Sequence, residues 1–331
     1  MALHLPDKWV WDFWFAKDGA DYHVFYLQAD RALQKEELRH WHVSVGHAVS
    51  TDLRTWNVVA DALRPAGEPQ SGAADAWDSY TTWTGSVIQY EGLWYMFYTG
   101  SRLSERGLVQ RAGLATSPDL MRWEKHAANP VISADPRWYE MLDLDSWHDH
   151  AWRDPYVFQH PDSGEFHALI TARSHPDSAP PDARGVIGHA RSSDLLNWDV
   201  LPPLTEPGEF GHMEVPQLVY LNNRYYLLFS VPHAYYAQAR KERAGVRAVT
   251  GTHYLVADDP LGPYEYITDE FLIGDYAETL YSGKLIQGPD DRWYFMAFVN
   301  LNARGEFVGD LIDPLPVETH ANGRLEVIGW P

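Results

Sequence analysis

Three acidic residues stand at the mouths of strand-like runs: Asp12 in WVWDFWF, Asp154 in WRDPYVF and Glu214 in MEVPQLVY. A charge placed before a buried strand carries a desolvation cost unless a partner or a reaction uses it. The three precede the aromatic segments YHVFYLQ, FHALITA and YYLLFSV by ten, twelve and eleven residues. That spacing reads as one position repeated in three similar units. Three carboxylates gathered in one volume suit glycoside chemistry. One protonates the leaving oxygen, one meets the oxocarbenium-like carbon, and a third bonds sugar hydroxyls and tunes the others. Arg153, beside Asp154, is placed either to hold a carboxylate ionised or to bind a hydroxyl itself.

The elements that must gather these acids repeat along the chain. Five aromatic, alternating segments begin at 22, 94, 166, 225 and 293, spaced by 72, 72, 59 and 68 residues. Turn signals such as DGAD, YEGL, DSGE, LNNR and GPDD precede them. In the later copies an apolar strand lies before that turn, giving a repeated hairpin. A third strand follows. VGHAVSTDLRTW (45–56), AGLATSPDLMRW (112–123) and IGHARSSDLLNW (187–198) are copies, and THYLVADDPLGPY (252–264) is a degenerate fourth. Units of this length with three or four antiparallel strands are propeller blades. The expected fold is therefore all-β, a five-bladed β-propeller spanning residues 1–331. A sandwich would not echo five times, and a β-helix needs a shorter period. The first strand of each blade lines the channel, so acids on those strands converge. Blade two carries Thr84 and Ser86 there, and in blade five Glu278 lies slightly earlier. The segment 29–41 reads as a short helix or a lid loop.

Composition narrows the function. The chain has 15 Trp and 19 Tyr, residues that serve both β-strands and sugar clefts. Lys and Arg number 26 against 46 Asp and Glu, a net charge of −20, which argues against nucleic acid or an anionic membrane as partner and fits a small neutral carbohydrate. The absence of cysteine excludes disulfides, thiolate metal sites and a cysteine nucleophile. No basic-then-apolar leader and no apolar run of about 20 residues is visible, so a cytoplasmic location is the expectation. No phosphate loop, nucleophile elbow or zinc motif occurs, and neither cofactor nor metal is expected. His148 and His150 in SWHDHAW would share one side of a strand, but no third or fourth ligand is spaced nearby, so they read as loop histidines beside the cleft. His253 in GTHYLVA would fall near the channel axis, although hard cations prefer oxygen. The basic stretch 233–248 reads as a solvated insertion or short helix, or else as a rim loop.

VGHAVSTDLRTW, WTGSVIQY, WRDPYVF and MEVPQLV together resemble the blade motifs of glycoside hydrolase family 32, the β-fructofuranosidases, over about residues 9–300. Families 68, 43 and 62 share the five-bladed fold. The resemblance implies Asp12 as nucleophile, Glu214 as general acid/base and Asp154, with Arg153, as the group that grips two sugar hydroxyls. Trp83 and Ser86 fall where that family lines its pocket. It implies hydrolysis of terminal β-D-fructofuranosides such as sucrose or short fructans with retention, hence carboxyls about 5–5.5 Å apart and, for Glu214, a pKa raised by burial and by its acidic neighbours. The family's Asn-rich surround of the nucleophile is replaced here by Trp11, Phe13 and Trp14, which puts the sugar in question and makes Trp11 and Trp14 candidate contacts. The chain also leaves no room for that family's C-terminal β-sandwich. The alternatives are a family-43-like arabinofuranosidase or xylosidase, which would invert with carboxyls about 6.5–9.5 Å apart, a fructosyl transferase, and a non-catalytic carbohydrate-binding propeller.

Overall fold

The computed structural model describes residues 2–67 and 75–330. Twenty strands form five antiparallel sheets of four, each in chain order. Blade I holds β1 (Lys8–Asp18), β2 (Asp21–Asp30), β3 (Ser44–Ser50) and β4 (Asn57–Val58). Blade II holds β5 (Thr81–Tyr90), β6 (Leu93–Ser101), β7 (Gln110–Ser117) and β8 (Glu124–Lys125). Blade III holds β9 (Trp152–Gln159), β10 (Phe166–Arg173), β11 (Gly185–Ser192) and β12 (Asp199–Leu201). Blade IV holds β13 (Glu214–Leu221), β14 (Arg224–Val231), β15 (Thr250–Ala257) and β16 (Ile273–Asp275). Blade V holds β17 (Leu280–Gln287), β18 (Trp293–Val299), β19 (Leu315–Thr319) and β20 (Leu325–Val327). The first strands touch in a ring, β1 to β5 to β9 to β13 to β17 and back to β1. The ring is the five-bladed β-propeller that the repeats predict. Blade I is tied to blade V by the Leu3–Leu311 bridge and by Val10 N–H donating to the Gly309 carbonyl.

The Ser-x-Asp-Leu signature has a local cause. In blade I the Ser50 hydroxyl accepts from Leu53 N–H, and Asp52 accepts from the Arg54 and Thr55 amides. This side-chain cap turns the chain and forces Leu53 to φ 61°, with its side chain buried. Blades II and III repeat the turn at Ser117–Leu120 and Ser192–Leu195, where Trp123 and Trp198 donate to the carbonyls of Leu120 and Leu195.

Two expectations need correction here. The segment 29–41 forms two short 3₁₀ turns, Arg31–Leu33 and Glu36–His40. The basic stretch contains a short helix (Gln238–Lys241) and is largely exposed, as expected, with one exception among its charged residues. Arg240 is fully buried, paired with Glu209 and set against the rings of Phe210, Tyr236 and Tyr266. His253 is also misplaced by the sequence reading. It lies inside blade IV among Phe229, Tyr266 and Phe271, away from the channel.

Stacked, buried histidine pairs bridge β2 to β3 (His23 and His47, 2.9 Å between nitrogens) and β10 to β11 (His167 and His189, 2.8 Å). Burial lowers all four, holding His47 and His189 at about 3. His47 and His189 stay neutral in the fold while the unfolded chain protonates them below about 6.5, so they remove stability as pH falls from there toward 3, by up to about 1.4 kcal/mol per pH unit each. Asp12 and Asp154, raised by burial, work in the opposite direction over part of that range. The expected result is therefore a difference. His47→Gln/His189→Gln should lose less of its melting temperature than the parent between pH 6.5 and 4. Parallel curves would remove the pairs as a cause of acid lability.

Candidate active site

Every first strand carries a bulge at the same place. The register with the second strand shifts between Val10 and Phe13, Trp83 and Gly85, Arg153 and Tyr156, Glu214 and Gln217, and Tyr281 and Lys284. A bulge inserts one unpaired residue and re-aims its side chain. Aligning the blades on it gives three layers along the channel. The upper layer is Trp11, Trp83, Arg153, Glu214 and Tyr281. The bulged layer is Asp12, Thr84, Asp154, Val215 and Ser282. Trp14, Ser86, Tyr156, Gln217 and Lys284 form the third. The three acids are thus not one repeated position. Glu214 stands one residue earlier than Asp12 and Asp154, in register with Trp11 and Arg153. At the bulge Asp154, Val215 and Ser282 adopt φ 57°, 48° and 54°, conformations that non-glycine residues seldom hold.

The upper and bulged layers open into a cavity of about 440 Å³, the size of a small-ligand site. Asp12, Asp154 and Glu214 all line it, as do Arg153, Trp11 and Trp83. Three other candidates lie elsewhere. Trp14 and Ser86 belong to the third layer and line a separate cavity at the opposite mouth, where Ser86 accepts from Val157 N–H. Glu278 precedes β17 and bonds Thr250, outside the cavity. Successive residues of a strand face alternately, so a small error in register moves a side chain to the wrong mouth or face.

Hydrogen bonds fix the carboxylates. Asp12 accepts from the Thr84 hydroxyl at 2.7 Å. Asp154 accepts from the Thr171 hydroxyl at 2.9 Å and from Val215 N–H at 3.1 Å, while its own N–H donates to Thr99. Glu214 accepts from Arg153 Nη2 at 2.7 Å and from the Tyr281 hydroxyl at 2.5 Å, with His212 at 3.5 Å. Asp149 accepts from Gln110 and Arg153. One wall of the cavity is aromatic. Trp83 donates to the His40 carbonyl and packs on Trp41, which stacks on Tyr80. The lining also includes a cluster of His148, His212 and Tyr235 packed against Trp147. Arg173 holds it by lying over Trp147 while pairing with Glu140.

Charge is distributed unevenly. Burial raises Asp12 above the usual carboxylate range, with Glu214 adding to the effect against the Thr84 bond. Burial likewise pushes Asp154 up to about 7, although Arg153 opposes it. Glu214 goes the other way. Burial would raise it, but His212, Arg153 and Tyr281 together hold it down at about 2. Burial keeps His212 itself at about 4, so above that pH Arg153 is the persistent cation. Burial opposes the charge of Arg153, but Asp149, Glu214 and Asp154 outweigh it. The expectation of a raised Glu214 is therefore corrected. It weighed burial and the neighbouring aspartates but not the two donors, Arg153 and Tyr281, and the nearby His212 ring that converge on this carboxylate. Of the three carboxyls, the two aspartates are therefore the ones raised.

Sequence reasoning missed Tyr281, His212, Asp149, Trp41 and Tyr235. Only Tyr281 left a signal. YSGKLIQ is the blade-five copy of the first strand, and alignment on its bulge puts Tyr281 level with Glu214. His148 reaches the cavity, whereas His150 is buried beneath it. Among the described residues no group of three or more His, Asp or Glu is arranged to hold a metal ion.

A propeller whose channel ends in three carboxylates, one arginine and an aromatic rim is built like a carbohydrate-active enzyme. The chain matches the model of the glycosyl hydrolases family 32 N-terminal domain over residues 13–307 and belongs to that family; it is a glycoside hydrolase. It is 25% identical to an extracellular sucrase of Zymomonas mobilis, over 96% of this chain and 81% of that one. It is also 25% identical to a raffinose invertase of Escherichia coli, over 85% of this chain and 52% of that one. Among solved structures, an inulosucrase from Halalkalicoccus jeotgali bound to kestose superimposes with a TM-score of 0.75 at 22% identity, covering 98% of this chain and 88% of that one. At that identity the likeness is one of fold.

Proposed function

We propose that this protein hydrolyses terminal β-D-fructofuranosides, sucrose or short fructans, by double displacement. Asp12 is the nucleophile, Glu214 the acid/base and Asp154 the hydroxyl-binding stabiliser. The observation that carries this is the convergence of the three carboxylates from blades I, III and IV on one cavity, with Glu214 held by Arg153 and Tyr281. The family membership and the printed activities of the sucrase and invertase relatives support the substrate class.

In the free protein the surroundings favour an ionised Glu214 and disfavour ionisation of the aspartates. Catalysis needs the reverse, an ionised Asp12 and a protonated Glu214. A bound sugar supplies the exchange. Its hydroxyls offer Arg153 and Asp154 new partners, and its glycosidic oxygen offers a protonated Glu214 an acceptor. Glu214 protonates that oxygen as Asp12 attacks the anomeric carbon; then Glu214 takes a proton from water, which releases the sugar from Asp12.

The test is a panel of sucrose, kestose and aryl fructofuranoside, arabinofuranoside and xyloside, with products analysed at low and high sugar. Release of fructose from the first three at rates well above the others is expected. Preference for the arabinofuranoside or xyloside, transfer in place of hydrolysis, or binding without turnover would each overturn the reading.

Tyr281→Phe gives a finer check. It removes a donor to ionised Glu214, so the carboxyl protonates at higher pH. The alkaline limb of kcat, which reports the substrate complex where Glu214 holds its proton, should move up by about half to one pH unit. A limb that stays in place or moves down would show that Tyr281 does not tune Glu214.

A further inference from the structure

Behind the carboxylates, in the third layer, lies a buried cation that the reaction above does not use. Lys284 of β17 is 4% exposed, and its ammonium donates to the Val215 carbonyl at 2.5 Å. The Val215 peptide is unusual on both sides. Its N–H donates to Asp154 Oδ2 and lies 3.1 Å from the Thr171 hydroxyl. Its φ is 48°, a conformation unfavourable for a β-branched residue that persists only where the surroundings impose it. Val215 directly follows Glu214. One strained residue therefore joins the general acid's strand position, the stabilising carboxylate and the lysine.

We infer that Lys284 is a positioning residue for the reacting carboxylates: through the Val215 peptide it fixes Asp154 and the turn that presents Glu214, and its charge backs Asp12 and Asp154. This rests on the reading of those three acids given above. A cation on a carbonyl oxygen polarises the peptide and strengthens its N–H as a donor to Asp154. An ammonium out of water keeps its proton only where anions offset the desolvation. Facing Lys284 are Asp12 from β1 and Asp154 from β9, with Lys17, Tyr22, Tyr156 and Tyr220 around the far mouth. Burial brings its pKa down to about 8, and the two aspartates keep it from falling further. In return its charge favours ionised Asp12. Lys284 touches the far cavity and not the substrate cavity, so it acts through these groups and does not itself meet the sugar.

Two variants separate its contributions. Lys284→Gln keeps a donor within reach of the Val215 carbonyl but removes the charge; Lys284→Met removes both. Both should leave KM within about threefold while kcat falls about 10-fold in Gln and about 100-fold in Met, the scale of a slightly misplaced catalytic group. In both, the acid limb of kcat, which reports the substrate complex, should rise by about one pH unit, because Asp12 is harder to ionise without the cation. A second readout does not need turnover. Carboxyl ¹³C titration of aspartate-labelled parent and Lys284→Gln should show the two high-pKa aspartates shifted up by a similar amount. Cooperatively folded variants with parental kcat and acid limb would overturn the inference, as would unshifted aspartate titrations. If the parent cleaves none of the panel sugars, the functional reading fails, and the titration still decides the role of Lys284.

Discussion

Asp12→Asn is expected to lower kcat by about 10⁴-fold or more, equivalent to about 5 kcal/mol of lost transition-state stabilisation, with the fold intact. An amide has no charge to attack the anomeric carbon or to balance the oxocarbenium-like centre. The substitution is nearly isosteric, and the Thr84 hydroxyl can still donate to the remaining carbonyl oxygen, so the surroundings should not move. Because Asp12 is buried and its carboxyl is raised, replacing it by a neutral group also relieves a desolvation cost; the melting temperature should hold or rise. Rapid quenching of parental enzyme with an activated fructofuranoside should trap one fructosyl unit of added mass on the peptide containing Asp12, and none in the variant. Parental turnover by Asp12→Asn would remove the nucleophile assignment. Loss of activity in the variant, with no trapped sugar in the parent and inverted product, would favour direct attack by water.

Glu214→Gln should lower sucrose turnover by about 10²–10⁴-fold, the usual worth of a positioned general acid. The loss should depend on the leaving group. An alcohol leaving group needs a proton, whereas an acidic phenol departs without one. With an aryl fructofuranoside the first step should be largely spared, and a burst of phenol should precede slow release of fructose, since activation of water is still impaired. Equal losses on both substrates would contradict the acid/base role. The variant also exposes the cost of the local network. Arg153 and Tyr281 lose an anionic partner, leaving Arg153 with Asp149 and Asp154. Leaving a buried cation with fewer anions is destabilising, so a modest fall in melting temperature is expected, in contrast to Asp12→Asn.

The two substitutions thus differ in sign for stability although both remove a carboxylate charge. The difference lies in the neighbours. Asp12 is hydrogen-bonded to a neutral threonine and faces Lys284, whose charge Asp154 also offsets, whereas Glu214 is bonded to an arginine that the carboxylates around it keep charged against burial. A sequence lists both only as acids before strands.

The amino-acid sequence by itself determined the architecture and the acidic centre of the site. Hydrophobic alternation, repeated five times, and the Ser-x-Asp-Leu turns of the first three units are local, so they specify the blades without reference to anything distant. The placing of Asp12, Asp154, Glu214, Arg153, Trp11 and Trp83 at the channel followed from their sitting on first strands. The tertiary structure alone decided the layer each side chain occupies. A single bulged residue in each first strand shifts the register, lifting Glu214 one step above the aspartates and sending Trp14 and Ser86 to the opposite mouth. It also decided charge. Whether a buried carboxyl is raised or lowered depends on donors contributed by other blades, Arg153 from the third and Tyr281 from the fifth, and no separation along the chain encodes that meeting.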